Sequence, residues 1–129
     1  MTDKLTIHEK PTYLHVIVTG WNSKENVKQY LEEAIRECTN RGYFRVLIEE
    51  RLDGPRLGTQ DVFEIAAEAS DKARGLLKAI AYVDINAEGD LMHFAETVAV
   101  NRALPVAVFS TVVEAEIWLL NDAGGGAER

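Results

Sequence analysis

The chain predicts an α/β domain with a mixed, mostly parallel sheet, an N-terminal β-hairpin and about four helices. Three observations point there. Two short runs of alternating apolar and polar residues flank Lys10-Pro11-Thr12, as in a hairpin. Farther on, amphipathic segments of helical period alternate with short apolar runs. The stretch Phe94-Ala-Glu-Thr-Val-Ala-Val-Asn-Arg-Ala-Leu-Pro-Val-Ala-Val-Phe-Ser-Thr111 shows the rhythm at its clearest: a helix ends, a buried strand follows, and a hydroxyl cap opens another helix. Strands joined through helices are parallel with right-handed crossovers, whereas the hairpin adds one antiparallel member.

The elements follow in order. Leu5-Thr-Ile-His-Glu9 and Tyr13-Leu-His-Val-Ile-Val-Thr19 read as strands, the second stopping at Gly20. Ser23 is an N-cap and Glu25 suits the positive end of the helix dipole. Val27, Tyr30, Leu31, Ala34, Ile35 and Cys38 then form one apolar stripe, ended by Arg41-Gly42. Glu32 and Arg36, four residues apart, are expected to pair on the opposite face. Tyr43-Phe-Arg-Val-Leu-Ile48 is a strand with Glu49 and Glu50 at its exit, and residues 51–58 form a loop. Thr59 is expected to cap the next helix, whose stripe is Val62, Ile65, Ala66, Ala69 and Ala73; Ser70-Asp71 could end it early. Lys78-Ala-Ile-Ala-Tyr-Val83 is a buried strand with Asp84 at its exit. A helix capped near Asp90 buries Leu91, Phe94, Ala95 and Val98, and the last strand covers residues 106–109. Thr111 and Glu114 have capping-box spacing, and Val113, Ile117 and Leu120 are expected to face the core. Residues 1–122 form one domain in this reading, and 123–129, with three consecutive glycines, a disordered tail.

Composition narrows the function classes. Fourteen Lys and Arg against 21 Asp and Glu leave a net charge of −7, which repels phosphate backbones and anionic lipid, so neither nucleic acid nor membrane is the expected partner. No apolar run reaches bilayer length and the N-terminus lacks a signal-peptide pattern, so the expected location is cytoplasmic. The single cysteine, Cys38, allows no internal disulfide and sits on a buried stripe, where packing is the expected role.

Candidate chemistry gathers at the strand exits: Glu49, Glu50 and Asp53 after one strand, Asp84 after another and Ser110 after the last. Parallel strands would line these groups along one edge, where carboxylates could hold a hard cation. The acidic pocket of response-regulator receivers is similar in outline, but no strand exit here carries the lysine that pattern requires. Helix capping and solvated turns explain the acids more simply, so no metal and no cofactor are expected. His8, His15 and His93 lie in different elements without ligand spacing, and neither a nucleophile elbow nor a phosphate-binding glycine loop is present. Second apolar lines on two helices, Phe63 with Ala67 and Met92 with Ala99 and Ala103, suggest burial or self-association.

Arg45-Val-Leu-Ile-Glu-Glu50 followed by a loop and helix, and Ala95-Glu-Thr-Val-Ala-Val-Asn-Arg102 running into Leu104-Pro-Val-Ala-Val-Phe-Ser110, resemble the STAS, or SpoIIAA-like, type of domain. The chain looks most like the small bacterial STAS/SEC14-like proteins, over roughly residues 13–120. The resemblance implies a SpoIIAA-like fold that docks to other proteins rather than catalysing a reaction. In the anti-sigma antagonists of this type, a serine at the start of the helix after a central strand is a phospho-switch. The matching region here, Asp53-Gly-Pro-Arg-Leu-Gly-Thr-Gln60, lacks the Asp-Ser-Ser-Gly type of sequence and leaves Thr59 as the hydroxyl in that place. Thr59 is thus the candidate phospho-switch, with Asp53, Arg56 and Phe63 the candidate partner-binding residues. The expectation is a non-enzymatic interaction module and homo-oligomer with an unidentified protein partner. The SEC14-like side implies an alternative, a carrier of a small apolar or lipid-like ligand. A metal-dependent enzyme using Glu50, Asp53 and Asp84 comes third.

Overall fold

Five strands lie side by side in the order in which the chain makes them, β1-β2-β3-β4-β5. The structure is a computed structural model that describes residues 4–55, 57–84, 97 and 106–121. The strands are β1 (Lys4–Glu9), β2 (Leu14–Trp21), β3 (Arg45–Asp53), β4 (Ala79–Asp84) and β5 (Val106–Phe109). β1 runs antiparallel to β2, and every later neighbour is parallel. The helices among the described residues are α1 (Lys24–Arg41), α2 (Thr59–Ala73) and α3 (Val112–Asn121). None is long and apolar enough to cross a membrane.

Strand alternation sends side chains to two cores. On one face Leu14, Val16, Val18, Val46, Ile48 and Ile80 pack with the stripe of α1 and with Ile65 and Ala73 of α2. On the other, Leu47, Ala79, Ala81 and Val83 pack with Ala115 and Leu119 of α3. Helix α1 is as the sequence predicts: Ser23 accepts from Asn26 N at 3.2 Å, and Gly42 ends the helix at φ 77°. Cys38 is fully buried, and desolvation pushes its thiol up to about 12, which keeps it unreactive at neutral pH.

Several expectations need correction. β3 does not stop at Ile48 but runs to Asp53, because β2 continues through Gly20 to Trp21 and β4 reaches Asp84, so both flanks offer pairing partners. Glu49, Glu50 and Asp53 are therefore strand residues, not loop residues. Gly58, not Thr59, is the N-cap of α2, and it makes no side-chain cap bond; Thr59 is the first helical residue. Ser70 does not end α2, because its hydroxyl donates to Ala66 O at 2.6 Å inside the helix, and the chain turns only at Gly75, φ 83°. Glu32 pairs with Lys72 of α2 instead of with Arg36. That pair belongs to a ladder along the α1–α2 seam, with Lys24 to Glu64 and Lys28 to Glu68.

The largest correction concerns α3. Its capping box forms as expected: Thr111 Oγ1 accepts from Glu114 N at 3.2 Å and donates to Glu114 Oε1 at 3.1 Å. Its buried side, however, is Ala115 and Leu119, while Val113, Ile117 and Leu120 face outward. The helix is apolar almost all round, so period alone does not choose the face; small Ala115 lets it approach the sheet closely. The helix expected from Asp90, with His93 and Met92, lies outside the described residues, as do Arg56 and the 123–129 tail.

Candidate functional site

At the C-terminal ends of β3 and β4, consecutive acids part company. Glu49, Arg51 and Asp53 alternate with Glu50 and Leu52, so one set points to the α3 side and the other beneath α1. The strand-exit acids consequently make two hydrogen-bonded constellations, one on each side of the sheet.

Beneath α1, Glu50 lies in register with Asp84. Tyr82 Oη donates to Glu50 Oε2 at 2.6 Å, and Tyr30 Oη, arriving from α1, donates to the same oxygen and touches the Tyr82 hydroxyl. Glu50 also shares a side-chain hydrogen bond with Asp84, which two carboxyl groups form only when one holds a proton. Desolvation pushes the Glu50 carboxyl up to about 7; the two tyrosine bonds oppose the rise and the Asp84 charge adds to it. Burial, then the Glu50 charge, holds both phenols well above their usual range, so they act as hydrogen-bond donors. Glu50 therefore holds its proton below about pH 7, and its two tyrosine bonds tie α1 to the strand ends.

On the opposite face His15 Nε2 lies 3.0 Å from Glu49 Oε1, and Arg51 Nε donates to Glu49 Oε2 at 2.8 Å. Burial raises the Glu49 pKa, but these two partners outweigh it and the carboxyl ends below its ordinary value. His8, the register partner of His15, brings its ring to 6.0 Å, so two histidines that look unrelated in sequence are neighbours across the hairpin.

A cleft of about 460 Å³ opens along this edge, lined among others by Asn22, Glu50, Asp53, Gly54, Asp84 and Ser110. Its position, outside the carboxyl ends of parallel strands, is where open α/β sheets bind ligands. The loop on its rim is braced. Asn22 N donates to Asp53 O at 2.7 Å and Asn22 Nδ2 to Pro55 O at 2.9 Å. Gly54 has φ 105°, and a Cβ there would sit 2.8 Å from Trp21 Cε2, so only glycine lets the indole lie against this turn. Trp21 remains 44% exposed.

Of the residues singled out in sequence, the structure brings Glu49, Glu50, Asp53, Asp84 and Ser110 to the lining of one cleft. Phe63 stands apart on α2, 40% exposed. Thr59 opens α2 just beyond the loop. No group of three His, Cys, Asp or Glu residues is placed to hold a metal ion among the described residues. Sequence reading missed Tyr30, Tyr82, Asn22 and Trp21. The tyrosines were hidden because each fits an apolar pattern; the signal available was a hydroxyl on a stripe that also faces a carboxylate strand end.

No family model and no curated protein matches the chain. Solved structures do. A crystal structure of an uncharacterized DUF3478-family protein from Shewanella loihica PV-4, described as having a SpoIIAA-like fold, is similar with a TM-score of 0.52 and 21% identity, covering 92% of this chain and 93% of that one. On that likeness, with the mixed five-stranded sheet, the chain has the SpoIIAA-like fold.

Proposed function

We propose that the chain is a non-catalytic, STAS-like interaction module that docks a protein partner along the cleft rim, from Trp21 and Asn22 through Asp53, Gly54 and Pro55 to Thr59 and Phe63. One observation carries the reading: the loop after β3 is fixed in place by Asn22 and by the Trp21–Gly54 contact while the indole stays exposed. A rigid, half-exposed tryptophan beside a concavity is the usual anchor of a docking site, since little ordering entropy remains to be lost on binding. The carboxylates of the cleft favour a polar contact over an apolar cargo, which places the carrier reading second.

Phosphate on Thr59 would add charge at the start of α2 beside this rim and so alter docking. Captured partners of wild-type protein, Trp21→Ala, Thr59→Glu and Phe63→Asp are to be compared by quantitative mass spectrometry, with circular dichroism to verify folding. The expected result is a partner retained by wild type and depleted tenfold or more with Trp21→Ala. An identical set of proteins on all folded variants would end the proposal.

A further inference from the structure

The outward face of α3 is unused by the cleft and has its own logic. Val113, Ile117 and Leu120, 66%, 55% and 49% exposed, recur at i, i+4 and i+7 and so form one straight stripe. The two acids of the helix stand on its flanks, and both are already engaged: Glu116 accepts from Tyr13 Oη at 2.5 Å and Glu114 from Thr111 Oγ1. The helix carries no cation in its last turn. The stripe is thus uncharged, with the nearest charges bound to the chain's own hydroxyls, which gives a basic partner little to read.

The geometry points to a second copy of this chain as the occupant, packed through α3 about a two-fold axis with the helices antiparallel. An isologous contact requires a patch that matches itself. With Ile117 on the axis it meets its own image, and small Val113 meets large Leu120 of the other copy at both ends, so bulk is balanced along the seam. The antiparallel sense also sets each Glu114 beside the far end of the other helix, away from its counterpart. Three side chains exposed to this degree offer roughly 300 Å² of apolar surface, the level at which a monomer's largest patch is often functional. Two copies bury roughly twice that, below a standard interface, so the dimer forms reversibly and depends on concentration. The inference stands apart from the cleft-rim docking proposed above, since Val113, Ile117 and Leu120 do not line that cleft.

Sedimentation velocity of the full chain from micromolar to hundreds of micromolar is expected to show a shift from one chain mass to two, and Ile117→Glu to remain at one. Ile117→Cys keeps the face nearly intact and is expected to form an intermolecular disulfide under mild oxidation; Phe44→Cys, exposed on a different surface, is not. Buried Cys38 does not compete. A wild-type protein that stays monomeric, or a dimer that survives Ile117→Glu, would overturn the inference. So would an Ile117→Cys thiol that a small reagent cannot reach in the monomer, for then the chain itself covers the stripe.

Discussion

The raised pKa of the buried Glu50 carboxyl makes stability depend on pH. Glu50 in the folded chain titrates at about 7, above its ordinary value of 4.5, so the native state binds more protons than the unfolded state between those values. The resulting stabilisation is complete below about pH 4.5 and is lost as pH rises through about 7. The shift corresponds to roughly 3 kcal/mol as an upper figure. Glu49 and Glu64 shift the other way, so their contributions change at more acid pH. Urea unfolding from about pH 5 to 8 is expected to show a steeper fall in stability for wild type than for Glu50→Gln. The glutamine keeps a carbonyl for both tyrosines and offers Asp84 an amide donor. Parallel profiles would refute this account. None of it is visible in the sequence, where Tyr30 is one more member of an apolar stripe and Glu50 one of two adjacent acids.

At the level of the element, legibility depended on whether the signal was local. Ser23 and Gly42 fix α1 by their own chemistry, so its ends could be read directly. The end of β3 is decided by neighbours. Glu49-Glu-Arg51 has the composition of an exit loop, yet pairing with β2 on one side and β4 on the other keeps it extended. The face of α3 is decided by packing, since apolar residues surround the helix. That assignment is open to test by thermal or denaturant unfolding at low protein concentration. Leu119→Ala is expected to cost about 2–5 kcal/mol as a buried large-to-small change. Leu120→Ala, at the exposed stripe, is expected to cost less than about 0.5 kcal/mol. Equal losses would mean that the two sides of α3 are exchanged. The α1–α2 ion pairs, by contrast, are half-exposed and contribute little singly, about 0–1 kcal/mol each.

Taken whole, the sheet has two faces of unequal dependence. α1 and α2 share the cover of one face, whereas the second face, with Leu47, Ala79, Ala81 and Val83, relies on α3 alone among the described helices. A chain shortened to end at Thr111 is expected to keep much of its helical circular dichroism yet bind a hydrophobic dye such as ANS, which reports uncovered apolar surface. A shortened chain that binds no dye and melts like the full one would count against this dependence. The α/β class and the parallel order were legible because hairpin and crossover connections constrain topology strongly. The two-sided arrangement was not, because nothing in the residues of α3 says which side of the sheet it visits.

The strand order carries a consequence for biosynthesis. Each strand pairs with the one translated before it, so no strand must be inserted between two already joined. A nascent chain emerging from the ribosome can add each strand to an edge that already exists, so the growing rim is paired soon after it forms while the β1 edge stays open. The α3-side core is the exception to this vectorial schedule. Among the described elements its cover is α3, made only after β5, and that interval is when a chaperone would have most to hold.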